Sequence, residues 1–186
     1  MDLEVRPLTP DLLTAFDDLF DVDGPAGRCW CMYWRLGPGY RQRDPSENRA
    51  GFHEVVEQGP PPGLLAFSDD LAVGWCQLTA REDLPWMDRS WRHERVDDLP
   101  VWSISCFYIR KGWRQKGVAT ALIEAAVKAA RSAGAPALEA YPLDAELTSS
   151  TSFTGYLSTF ERSGFEVLTR HDPTRPIVRI MFAGSR

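Results

Sequence analysis

The stretch from Val101 to Ala133 constrains this chain more than any other. Val101 to Ile109 is a β-rich run and Arg110 to Lys116 a basic loop. From Gly117 to Ala133, apolar residues fall at 118, 121, 122, 125, 126, 129 and 133, the spacing of one helical face. Strand, tight loop and helix N-terminus form an anion-binding geometry, because the first-turn amides of a helix have no intrahelical partner and sit at the positive end of its dipole. A pyrophosphate fits there with few charged side chains, and Gly117 and Ala119 would leave its approach open.

The flanking sequence reads as a single α/β domain over residues 1–186. Leu3 to Pro7 suits a first strand. Thr9-Pro10 opens an apolar-periodic helix through Leu12, Leu13, Phe16, Leu19 and Phe20. Asp44-Pro45-Ser46-Glu47 combines an N-cap, an N1 proline and an acidic N3, starting a second helix that ends before Gly59. Leu64–Phe67 and Leu71–Leu78, joined by Ser68-Asp69-Asp70, read as a hairpin. Arg81 to Pro100 is expected to be irregular. Ala137–Tyr141 reads as a strand, Thr154–Ser163 as a helix closed by Gly164, and Phe165–Arg170 with Ile177–Phe182 as the last two strands. At 186 residues one core is expected.

Charge and cysteine content narrow the setting. A formal net charge of −5 gives no reason to expect a nucleic-acid partner. Without a leader-like N-terminus or an apolar run of about 18 residues, a soluble cytoplasmic protein with no membrane partner is expected. Cys29, Cys31, Cys76 and Cys106 do not form a disulfide framework, and reduced thiols suit them better.

Arg114, Gly117 and Ala119 fill the pattern Arg or Gln, two variable residues, Gly, one variable residue, Gly or Ala. In its strand-to-helix context the segment resembles the acyl-CoA-binding motif of the GNAT acetyltransferase superfamily. The element order agrees over nearly the whole chain, and Phe160-Glu161-Arg162-Ser163-Gly164-Phe165 looks like the family's ending of its fourth helix. The resemblance implies a mixed, mostly antiparallel sheet opened between its fourth and fifth strands to admit acetyl-CoA or another acyl-CoA. By the same likeness, main-chain groups of Phe107, Tyr108 and Ile109 would pair with the pantetheine arm, and Arg114, Gln115, Lys116, Gly117, Val118, Ala119 and Thr120 would hold the pyrophosphate. The expected reaction is transfer to a primary amine of a small molecule, by direct attack in a ternary complex. Modification of a protein N-terminus or lysine, or acyl-CoA binding without turnover, are the rivals, and the protein is expected as monomer or homodimer.

Amide formation needs a neutral amine and a proton for the departing thiolate. Many members of the family carry a tyrosine four residues before the Gly-Phe of the fourth helix, but Phe160 stands there in this chain. Tyr156, one turn earlier on the expected helix, is a candidate donor or an amphipathic packing residue. Glu139 and Tyr141 alternate onto one face of the fifth strand, as candidates to bind or deprotonate the amine or as ordinary strand residues. Cys29-Trp30-Cys31-Met32-Tyr33-Trp34-Arg35 lies where the family builds its acceptor pocket. Trp30, Tyr33, Trp34 and Arg35 read as a substrate wall or as an apolar wedge under a loop. No metal is expected, since a Cys-x-Cys pair alone falls short of a four-ligand zinc site.

Overall fold

Strands β2 (Gly63–Ser68) and β3 (Leu71–Ala80) are buried along almost their whole length. A strand buried on both faces needs cover on both, and its sequence therefore reads as a continuous apolar run. The computed structural model, which describes residues 2–144 and 153–182, supplies that cover with helices on each side of a seven-stranded sheet. The strand order is β1-β2-β3-β4-β5-β7-β6, with β1 at Glu4–Pro7, β4 at Trp102–Ile109, β5 at Ala137–Ala140, β6 at Glu166–Asp172 and β7 at Arg175–Met181. Every pairing is antiparallel except β4 with β5.

That parallel pairing spans only Trp102–Ile104 against Leu138–Ala140, so the two strands part from Ser105 onward. The cause is visible in the register with β3. Ile104 faces Leu78 and Cys106 faces Gln77, leaving Ser105 as an extra residue on β4. A bulge of this kind bends its strand and ends regular pairing. The expected opening between the fourth and fifth strands is present.

One face of the sheet carries α1 (Leu13–Phe20) and α4 (Pro45–Gln58). Phe16 stacks on Phe20 and Phe52 at centroid distances of 4.4 and 4.9 Å and meets Trp75 edge-on at 5.0 Å. The start of α4 is the expected capping box: Ser46 N donates to Asp44 Oδ1 at 2.9 Å, and Asp44 N donates to Glu47 Oε2 at 2.8 Å. The other face carries α5 (Val118–Ser132), which buries Val118, Leu122, Ile123, Ala126 and Ala130 against β3 and β4.

Between α1 and α4 the chain makes two short helices, α2 (Pro25–Cys29) and α3 (Tyr33–Leu36). The segment 81–100 contains only three single-turn 3₁₀ helices, at Arg81–Asp83, Met87–Arg89 and Trp91–His93. The helix read as Thr154–Ser163 is α6, Leu157–Arg162, and the strands read as Phe165–Arg170 and Ile177–Phe182 are β6 and β7, Glu166–Asp172 and Arg175–Met181. Tyr156 is the N-cap of α6, in extended backbone at φ −107° and ψ 140°. Tyr156 and Phe160 therefore do not share a helical face. Gly155, at φ +78°, turns the chain just before.

Candidate active site

The loop leaving β4 is pinned at its first residue. Arg110 Nε donates to Ala72 O at 2.9 Å, and its Nη2 pairs with Asp18 at 2.5 Å. Lys111, Arg114, Gln115 and Lys116 are exposed, with Lys116 Nζ 5.1 Å from the centre of the Trp113 ring. Gln115 (φ +60°) and Gly117 (φ +81°) both take left-handed backbone, which lets the loop turn sharply into α5. No side chain caps α5 and its first turn holds no acidic residue. The amides of Val118, Ala119 and Thr120 thus face outward beneath a basic loop, a cradle suited to a pyrophosphate.

Along β4 the peptide groups alternate between β3 and the opening. Phe107 N points into the opening, where it donates to Phe153 O at 2.5 Å. By the same alternation Ile109 faces the opening and Tyr108 faces β3. The Tyr108 ring packs toward α1, 5.3 Å from Phe20. The segment Phe153–Leu157 also pairs with the chain beyond β5: Leu143 N donates to Gly155 O at 2.8 Å and Leu157 N to Leu143 O at 2.9 Å. Tyr156 bridges Leu143 at this edge and is 41% exposed. Phe160 is fully buried, edge-on to Phe107 and Phe165.

Glu139 and Tyr141, the residue just past the end of β5, do lie on one face, and the chain covers that face. Glu139 is 2% exposed. Its Oε1 accepts from Arg179 Nε at 3.0 Å and Nη2 at 2.5 Å, and its Oε2 accepts from the Tyr141 hydroxyl at 3.1 Å and Arg81 Nη1 at 3.4 Å. Arg81 extends the cluster to Asp88 at 2.8 Å and to His93 O, and Arg179 extends it to Asp97 at 2.6 Å. Arg95 pairs with Asp88 at 2.9 Å, so three guanidinium groups oppose the carboxylates of Asp88, Asp97 and Glu139. Burial pushes the Tyr141 phenol above its ordinary range, with the neighbouring Glu139 carboxylate adding to the effect. Burial, with Arg81 nearby, pushes His93 down to about 3. The imidazole lies edge-on to Trp34 and Tyr141 at 4.8 and 4.9 Å. Arg81, Arg179, Asp88 and Asp97 escaped the sequence reading because they carry no motif and lie up to 82 residues from their partners.

The stretch expected to wall the acceptor divides among three environments. Trp30 is buried beside Phe16 and Phe20. Trp34 is 8% exposed and donates its indole N–H to Ser105 O at 3.1 Å. Tyr33 is half-buried, edge-on to Trp34 at 4.7 Å and Tyr40 at 5.8 Å. Arg35 turns to the far end of β3, where Nη1 donates to Asp83 O at 3.1 Å. Trp30 and Cys31 both hold left-handed φ, +46° and +55°, at a cost of about 1–2 kcal/mol each. Trp75 Nε1 donating to Cys31 Sγ at 2.9 Å and Gln77 Nε2 donating to Cys31 O at 3.3 Å hold that reversal in place. All four cysteines are free thiols. Among the described residues no group of three His, Cys, Asp or Glu is placed to hold a metal ion, and no helix is long and apolar enough to cross a membrane.

A sheet splayed beyond a bulged fourth strand, with an uncapped helix N-terminus at the splay, is the architecture of an acetyltransferase. The model of the acetyltransferase (GNAT) family matches residues 24–153, and the chain belongs to that family. Solved structures share the fold. The PaiA N-acetyltransferase of Thermoplasma acidophilum, in complex with coenzyme A, is 16% identical at TM-score 0.56, over 98% of this chain and 100% of its own. The Drosophila melanogaster polyamine N-acetyltransferase, which catalyses formation of N-acetylagmatine, is 9% identical at TM-score 0.58, over 97% and 100%. A chain of the NatC complex bound to Gag peptide and CoA is 11% identical at TM-score 0.57, over 98% and 99%. No curated protein sequence matches the chain.

Proposed function

We propose that this chain transfers acetyl from acetyl-CoA to a primary amine of a small molecule, by direct attack with both reactants bound. The observation that carries the reading is the N-terminus of α5: uncapped, free of acid and placed under a basic loop where β4 leaves β5. Bound acetyl-CoA supplies a thioester carbon open to attack and a thiolate as leaving group. Arg114 and Lys116 and the amides of Val118 to Thr120 hold its pyrophosphate. Main-chain groups of Phe107 and Ile109 orient its arm once the Phe153 carbonyl gives way. Trp34, Leu84 and Met87, with Trp86, cover the acceptor face of the sheet, which favours an enclosed small amine over a peptide lying in a groove. Free thiols at all four cysteines suit a reducing cytoplasm.

The buried cluster around Glu139 positions the segment 81–99, and Tyr156 at the edge of the opening is the proton donor to the departing thiolate. Tyr156→Phe is expected to lower kcat at least about tenfold while leaving the KM for acetyl-CoA unchanged. Within the Glu139 cluster neither His93, held near 3, nor Tyr141, held high, changes charge near neutral pH. The amine therefore reaches the site already deprotonated by solvent. On this account kcat/KM climbs about tenfold per pH unit up to the acceptor's own pKa. An inflection well below that pKa, abolished by a substitution at Glu139, would return the role of base to that residue.

Release of free CoA from acetyl-CoA, measured against a panel of small primary amines and of peptides, tests the function. Turnover with a small amine at least about tenfold above any peptide is the expected result. The second reading, acyl-CoA binding without turnover, rests on the aromatic packing that Phe160 makes where the family's usual acid stands. Saturable acetyl-CoA binding with no CoA release from any amine would establish it.

A further inference from the structure

Gln77 is fully buried on β3, where an amide side chain is costly unless its polar atoms are paired. Both ends of the amide are paired, with different parts of the chain. Its Nε2 donates to Cys31 O at 3.3 Å, and its Oε1 accepts from the Ser105 hydroxyl at 2.9 Å. Ser105, also fully buried, is the extra residue of β4 and has no register partner on β3 or β5. Its carbonyl accepts from the Trp34 indole N–H at 3.1 Å.

These hydrogen bonds close a ring. It runs from Cys31 O through the Gln77 amide to the Ser105 hydroxyl, then from the Ser105 carbonyl to Trp34 and back along the chain to Cys31. The ring joins the two halves of the site. On one side is the bulge that parts β4 from β5, just before Phe107, whose N–H points into the opening. On the other is the left-handed reversal at Cys31, which leads into Trp34 on the acceptor face. A buried polar network with its members satisfied rigidifies what it connects.

We propose that Gln77 and Ser105 are positioning residues for acyl transfer: they lock the bulge of β4 to the Cys31–Trp34 segment and so hold the thioester in register with the acceptor wall. The inference rests on the acetyltransferase reading and adds how the two halves of that site are kept aligned. Both side chains are fully buried, so each acts through the main chain of β4 or through Trp34. The pyrophosphate cradle begins beyond Ile109, on the far side of Phe107 from the bulge. The link therefore governs where the thioester end sits, and the hold on the rest of the cofactor is independent of it.

The test compares Ser105→Ala, the near-isosteric Gln77→Met and the double variant with wild type, each assayed well below its melting temperature. Acetyl-CoA binding is measured by calorimetric titration, and kcat by CoA release with the best amine of the panel. In each single variant kcat should fall about tenfold or more, because a small displacement of the reacting groups costs rate steeply. Affinity for acetyl-CoA should stay within about threefold of wild type. The double variant should be no slower than Gln77→Met, in which the bond to Ser105 is already lost. Ser105→Ala removes a single oxygen and decides the matter by itself if Gln77→Met does not fold. Wild-type turnover with kcat in Ser105→Ala within about twofold of it would overturn this proposal and leave the acetyltransferase reading standing. A loss of acetyl-CoA affinity equal to the loss of rate, or slowing in the double variant equal to the product of the single ones, would do the same. No CoA release by the wild type with any amine would overturn both.

Discussion

Gly117→Glu is expected to weaken acetyl-CoA binding by roughly 100- to 1000-fold in a calorimetric titration, while the protein stays folded. Gly117 sits at φ +81° and a β-carbon built there meets nothing within 4 Å, so the protein itself has room for the side chain. The left-handed backbone costs a non-glycine residue about 1–2 kcal/mol. A carboxylate at the positive end of α5 offsets about 0.3–1 kcal/mol of that. The net change, at most about 1.7 kcal/mol, corresponds to a melting shift of up to roughly 7 °C in a chain of this size. The same carboxylate lies against the pyrophosphate, where like charges about 4 Å apart repel by about 4 kcal/mol at an effective dielectric constant near 20. Gly117→Asn, which adds bulk without charge and tolerates left-handed backbone, should fall between the two. If Gly117→Glu binds as well as wild type, the loop does not hold the pyrophosphate. If the wild type itself takes up neither acetyl-CoA nor longer acyl-CoAs, the acetyltransferase reading fails altogether.

The second large effect is on stability. Removing the Glu139 carboxylate leaves Arg81 and Arg179, at 3% and 8% exposed, without the anion they share. Breaking one partner out of a buried ionic cluster costs about 3–5 kcal/mol. Glu139→Ala should therefore melt roughly 6–20 °C below wild type. Kinetics separate this positioning role from a catalytic one. Assayed well below its melting temperature, Glu139→Gln should keep kcat within a few-fold. A general base at this position predicts the reverse pattern, an unchanged melting temperature with kcat lowered by about 100-fold or more.

These two experiments fall on either side of what could be read from residues alone. The basic loop running from β4 into α5 was legible because its signals are local: the apolar spacing of α5, the glycine where the chain turns, and basic residues within one short loop. The capping box at Asp44 and the hairpin of β2 and β3 were legible for the same reason. Alternation also put Glu139 and Tyr141 on one face, where their side chains meet, but alternation says nothing about what covers that face.

Tertiary structure decided the rest. Arg81 and Arg179 reach Glu139 from 58 and 40 residues away, so only folding shows both of its oxygens engaged. Trp30 and Trp34 read equally as a substrate wall or as packing until the reversal at Cys31 buried them. Tyr156 lost its place on a helical face because Gly155 turns the chain and α6 starts one residue later than Tyr156. The carbonyl of Phe153 on the amide of Phe107 joins segments 46 residues apart that share no pattern. Periodicity, caps and turns are determined by residues a few positions apart, and the sequence by itself determined those. The partner of a buried charge or of a free peptide group is whichever group the closed fold brings within about 3 Å, and that only the tertiary structure decided.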